Sequence, residues 1–124
     1  MGRRRQWRNG TGSLTIAGRD ALVPLEIAAT YGPRRRGLLD RDGITGAILL
    51  TPCNSVHTFR MRFTIDVAYL DRELRVVDIH TLSPGRIGRP RLLARHVLEA
   101  EAGAMAGWGL ARGVQVTIVP AASA

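Results

Sequence analysis

Five residues in this chain combine side-chain type and position in a way that could do chemistry: His57, Thr58, Arg60, Asp66 and Glu99. Four of them fall in one block, residues 52–71, where a polar, turn-like opening runs into a β-prone stretch with a lone carboxylate inside it. Burying an ionised Asp without partners is costly, so Asp66 must either be satisfied by donors or serve a ligand. In a strand here, Phe63, Ile65, Val67 and Tyr69 share one face, and Thr64, Asp66, Ala68 and Leu70 share the other. Both faces are mostly apolar, which predicts a central strand with Asp66 turned into a covered layer. Two readings of Asp66 stand: a structural carboxylate held by backbone N–H groups or by Arg60 or Arg62, or a ligand-binding or acid/base group in a pocket.

His57, followed by Thr58 at a loop-to-strand boundary, reads either as a hydrogen-bonded structural residue or as a group that exchanges protons near neutral pH. Its spacing from Cys53 resembles a metal pair, but a closed zinc site takes four protein ligands and a catalytic one usually three. No metal site is therefore expected. Cys53, His57 and Asp66 could form a nucleophilic set only through the fold, and no nucleophile-elbow pattern accompanies them. Cys53 reads equally as a small buried hydrophobe. Glu99 and Glu101 share a face opposite Leu98, Ala100 and Ala102, the pattern of a solvated strand face; a glycosidase-like pair would need another acid opposite. Gly103, Gly107, Gly109 and Gly113 read as turn glycines, and no Gly-rich nucleotide motif occurs, so no cofactor is expected.

The elements that must position these residues are short. Residues 13–17, 22–28, 46–51, 63–70, 74–82, 96–101 and 114–119 read as strands, with the last alternating Val114, Val116 and Ile118 against Gln115 and Thr117. Pro24 cannot donate to a ladder, which places its strand at an edge or at a bulge. Residues 30–40 and 103–110 read as brief helical turns. Arg34, Arg35 and Arg36 would project in three directions from the first, the pattern of a solvated face. Residues 83–91 form a Pro- and Gly-containing surface loop with Arg86, Arg89 and Arg91. About seven close-spaced strands with two short helices predict a mainly β domain, a β-sandwich of jelly-roll-like character or a partly open barrel.

Bulk properties bound the rest. The 124 residues suit one domain, and 45% apolar content excludes wholesale disorder. No apolar run reaches the length of a membrane span, and no secretory signal is visible. A single cysteine excludes an internal disulfide framework, and with the missing signal it points to a reducing, cytoplasmic location. All 18 cationic residues are arginine, giving a net charge of +8. Arg3, Arg4, Arg5 and Arg8 carry half of that excess, so residues 1–12 read as a mobile basic tail before a domain over 13–120 and a short tail at 121–124. Trp7 among those arginines leaves room for weak nucleic-acid association, since an aromatic could stack while Arg neutralises phosphate.

Several ordered pieces resemble a known family. They are Arg36-Gly37-Leu38-Leu39-Asp40-Arg41, the run from Val56 to Asp71, Val76-Val77 with the Pro-containing loop after it, and Val97-Leu98-Glu99-Ala100-Glu101-Ala102-Gly103. Together they resemble the bacterial and archaeal domain of unknown function family 192, over roughly residues 22–119. In place of the commoner Phe-Trp-Met-Lys-Asn-Thr stretch stands Val56-His57-Thr58-Phe59-Arg60-Met61, similar to a subgroup with His-Thr at that point. The resemblance implies a single β-sandwich-like domain and no established reaction, and the recurring Val-Leu-Glu run raises Glu99 as a site residue. The readings that follow are a non-enzymatic module binding a small ligand or a protein partner through residues 57–66 and the 83–91 loop, a hydrolase using Asp66 with His57, and nucleic-acid association through the tail.

Overall fold

The computed structural model describes residues 6–122, so the basic stretch Arg3, Arg4 and Arg5 and the last two residues lie outside the described part. Seven strands and two short helices follow in the order β1 (Gly10–Ile16), β2 (Leu22–Ala28), α1 (Tyr31–Arg36), β3 (Ala47–Leu50), β4 (Ile65–Leu70), β5 (Val76–Leu82), β6 (His96–Glu101), α2 (Ala104–Gly107) and β7 (Val116–Pro120). All seven strands join one mixed sheet in the order β5-β4-β6-β3-β2-β1-β7, with β2 and β3 parallel and every other pair antiparallel. The sheet curls into a half-barrel, so of the expected architectures the open barrel describes it. Its two edges meet at one end: Val76 N–H donates to Val114 O at 2.9 Å, Val116 N–H to Leu74 O at 3.0 Å, and Arg75 bridges Gln115.

The apolar patterning of β4 explains how the sheet is covered. Ala68 and Leu70 pack into an inner core with Leu14, Leu25, Leu49, Leu98, Val116, Ile118 and Met105 of α2. Ile65, Val67 and Tyr69, on the opposite face, join a second core with Ile48, Leu50, Val97, Leu38, Val56 and Met61. A strand buried on both faces reads as a nearly continuous apolar run, as β3 and β4 do. The second core is closed by the segment after α1, through Leu38, Leu39 and Ile44, and by the irregular segment 51–64 rather than by a second sheet.

Four expectations are corrected. β2 is an interior strand, not an edge; Pro24 is tolerated because the parallel ladder to β3 begins only at Leu25. The domain begins before residue 13: Gly10, Thr11 and Gly12 pair with β2, Asn9 Oδ1 accepts from Ala29 and Thr30 N–H, and Trp7 packs on the inner core edge-on to His96. The first helix is confined to Tyr31–Arg36, because Gly37 at its C-cap takes φ 47° and ψ −121°, a conformation open to glycine alone. The strand expected from residue 74 starts at Val76, since Leu74 sits at φ 66° in the turn. Among the described residues no helix is long and apolar enough to cross a membrane.

Candidate functional site

Alternation along β6 sends Leu98 and Ala100 into the inner core and Val97 and Glu99 to the face covered by the segment after α1. In register, Glu99 lies between Ile48 of β3 and Val67 of β4, both apolar. The sequence predicts a solvated face here, and that holds for Glu101 but not for Glu99, which is only 5% exposed. The difference is tertiary: Gly37 and Leu38, just after α1, come down over the middle of β6 and leave its end open. Gly37 approaches so closely that a Cβ there would stand 3.3 Å from Glu99 Oε1.

Glu99 forms the floor of a cavity of about 220 Å³ between α1 and the segment after β3, lined also by Arg34, Leu50, Cys53, His57 and Met61. Burial alone pushes its carboxyl up to about 7, and no donor among the described residues offsets that. No buried side-chain oxygen or nitrogen among those residues lacks a partner, so the Glu99 oxygens must open onto the cavity. Arg34 also faces it, half-buried, with its Nη1 donating to Ala29 O at 3.5 Å. Burial raises the Cys53 thiol, and the nearby Glu99 adds to the rise. Its Sγ donates to Ser55 O at 3.2 Å. Such a cysteine is a protonated, weakly reactive thiol, the opposite of an activated nucleophile.

The structure distributes the candidate residues among different tasks. His57 lines the cavity but is exposed, with its ring stacked on Phe59 at 5.1 Å and its backbone bridged to Ile87. Thr58 is fully buried: Oγ1 donates to Ser83 O at 2.6 Å and accepts from Arg86 N–H at 2.8 Å, stapling segment 56–61 to the 83–91 loop. Arg60 is exposed at φ 63° in the turn beyond it. Asp66 points to the inner face, where it accepts from Thr81 Oγ1 at 2.8 Å, Gly103 N–H at 2.9 Å and Met105 N–H at 3.2 Å. These donors tether β5 and the start of α2 to β4, the arrangement of the structural reading. Asp66 and His57 therefore lie on opposite sides of the sheet, while Cys53, His57 and Glu99 share one cavity. No cluster of three or more His, Cys, Asp or Glu among the described residues is placed to hold a metal ion.

A second cluster anchors the 83–95 segment. Arg91 lies 4.4 Å over the Tyr69 ring and pairs with Asp78 at 2.8 Å, and Arg112 pairs with the same carboxyl at 2.8 Å. Hydrogen bonds from Arg112 and Arg91 hold Asp78 well below the usual carboxylate range. Sequence reading passed over Gly37, Arg34 and Cys53 as cavity residues. The available signal was the one used for Asp66, an acid within an apolar run, which Val97-Leu98-Glu99-Ala100 repeats.

A one-sheet half-barrel with a buried acid beside a short helix defines a small β-rich module with a cavity of about 220 Å³ in its outer layer. Its sequence matches the domain of unknown function family 192, described as "Uncharacterized ACR", over residues 13–118, and the chain belongs to that family. Among relatives, it is 34% identical to a UPF0127 protein of Pyrococcus horikoshii over 84 residues, covering 64% of this chain and 73% of the relative. A UPF0127 protein of Pyrococcus abyssi is 36% identical over 84 residues, covering 64% and 72%. Two crystal structures share the fold. A Novosphingobium aromaticivorans protein of unknown function has a TM-score of 0.74 at 19% identity, covering 86% of this chain and 84% of that one. A Sinorhizobium meliloti protein described as a candidate transcription regulator has a TM-score of 0.79 at 17% identity, covering 92% and 98%.

Proposed function

We propose that this protein is a small-ligand-binding module, with the Glu99 cavity as its site. The observation that carries the reading is a carboxyl group at the floor of a cavity, buried between Ile48 and Val67 and given no donor by the protein. A largely buried acid that opens only onto this cavity takes its hydrogen bonds from whatever occupies it, and a ligand with an amine or hydroxyl would supply them in place of water. Arg34 on the helix side of the cavity suits an anionic group at the ligand's other end. The volume corresponds to about seven water molecules, which limits the occupant to the size of a small amino or hydroxy acid. His57 at the rim keeps the histidine of the 57–66 block within the site, and the Thr58 staple fixes the loop that carries it. The raised Cys53 thiol favours binding over covalent catalysis.

The test is a two-dimensional NMR titration of the protein with glycine, ethanolamine, lactate and small polyols, each to millimolar concentration. The reading requires at least one probe to shift the amides around Gly37, Cys53 and Glu99 together, with saturation. Glu99→Gln should weaken an amine more than a hydroxyl compound, because only the charge is lost. If no probe moves those amides in the parent protein, the cavity is not a binding site for this class.

A further inference from the structure

Segments 53–62 and 83–95 run alongside each other as an irregular ribbon outside the sheet. Thr58 N–H donates to Arg86 O at 2.7 Å, Gly88 N–H to Val56 O at 2.8 Å, and Arg91 N–H to Asn54 O at 2.9 Å. Val56, Met61 and Ala94 turn into the second core, but four other apolar side chains do not: Leu92 is 94% exposed, Leu93 75% and Ile87 69%, and Phe59 stacks on the exposed His57. Single exposed apolar residues need no explanation, but four on one ribbon do. The same two segments hold six arginines and no Asp or Glu. Arg62 pairs with Asp42 and Arg91 with Asp78, which leaves Arg60, Arg86, Arg89 and Arg95 exposed and outside any ion pair among the described residues.

We propose that this ribbon docks on an anionic phospholipid surface, with Ile87, Leu92 and Leu93 entering the headgroup boundary while the unpaired arginines contact lipid phosphates. The charge pattern requires an acidic partner, since a symmetric contact between two copies would set the arginines against one another. The aliphatic tips favour a membrane over a nucleic acid: Ile87, Leu92 and Leu93 gain free energy on entering an acyl boundary and give bases no ring to stack on, and the one exposed aromatic pair, Phe59 and His57, is already stacked on itself. A bilayer also needs no pocket matched to Leu92 and Leu93, both of which project from a turn rather than line a groove. Each arginine near such a surface contributes a factor of about five in partitioning. The inference does not depend on the Glu99 cavity.

Vesicle co-sedimentation of the full chain tests it, with vesicles of phosphatidylcholine alone and with about one third phosphatidylglycerol. The expected result is binding to the mixed vesicles, little to phosphatidylcholine, and release at high salt. Leu92→Ser with Leu93→Ser should lower partitioning about tenfold or more, and Arg86→Gln with Arg89→Gln about 25-fold. Both double variants alter exposed side chains and should melt like the parent, so lost binding will not reflect unfolding. Absence of binding to the mixed vesicles overturns the proposal. So does binding that survives the leucine substitutions, which would assign adhesion to charge alone, including the basic N-terminal stretch. Equal affinity for a single-stranded oligonucleotide or for polyglutamate, insensitive to those substitutions, would replace the bilayer by a generic polyanion.

Discussion

Replacing Glu99 by glutamine isolates the energetic consequence of the buried acid. In the folded chain the carboxyl holds its proton up to about 7, whereas its ordinary value is 4.5. Between these values the unfolded chain has lost the proton and the folded one has kept it, so rising pH destabilises the fold. The loss begins as pH passes 4.5 and is complete above about 7. At about 1.4 kcal/mol per pH unit, the shift of 4.5 to about 7 corresponds to about 3 kcal/mol at pH 8 and less than about 1 kcal/mol at pH 5. Glutamine has nearly the same shape and no charge to bury. Glu99→Gln should therefore melt near the parent at pH 5 and about 10 °C above it at pH 8. Urea denaturation of both proteins from pH 5 to 9 reads the difference directly. His96, held at about 4 chiefly by burial and then by Arg95, adds its own loss of stability as pH falls below 6.5, but that contribution is common to both proteins and cancels. A difference that stays constant with pH, or a variant less stable at pH 8, would refute the desolvated carboxyl and with it the site's premise.

Three further outcomes follow from the geometry. Asp66→Ala leaves Gly103 and Met105 N–H and Thr81 Oγ1 without their acceptor and should cost about 1–3 kcal/mol in denaturant titrations; an unchanged midpoint would contradict the bonding at the start of α2. Gly37→Ala places a methyl at φ 47° and 3.3 Å from Glu99 Oε1, so a loss of about 1–3 kcal/mol is expected, together with broadened or shifted Cys53 and Glu99 amides. A tolerated substitution would mean that the segment after α1 does not close over β6 as described. Thr58→Val removes the staple to Ser83 and Arg86 and should raise amide exchange at Gly85, Arg86 and Gly88 before it lowers global stability; exchange confined to the site of substitution would argue against a shared ribbon.

Most of the strands were legible from composition and period alone. Val114, Val116 and Ile118 alternate with polar residues, and β7 takes up that alternation from Val116, two residues later than expected; the unbroken apolar run of β3 marks a central strand and occupies one. The double-sided apolar pattern of β4 implied a strand covered on both faces, because only such a strand can bury Ile65, Val67 and Tyr69 together with Ala68 and Leu70. The burial of Asp66 was implied for the same reason, while its donors, on β5 and α2, depended on which strands pair.

What the sequence by itself determined is thus local: strand periods, the glycine-dependent turns, the cost of any carboxylate left inside an apolar run, and the absence of acids from segments 53–62 and 83–95. Tertiary structure alone decided which carboxylate was satisfied. Asp66 and Glu99 are each a carboxylate within a largely apolar run, yet Asp66 faces three donors across the inner core while Glu99, whose pairing with Glu101 reads as a solvated face, faces two apolar neighbours and a cavity. The physical reason is that donors and desolvation come from residues remote in sequence: Thr81 and Met105 in one case, Ile48, Val67 and Gly37 in the other. Strand order and the placing of α1, rather than any local spacing, bring them into contact.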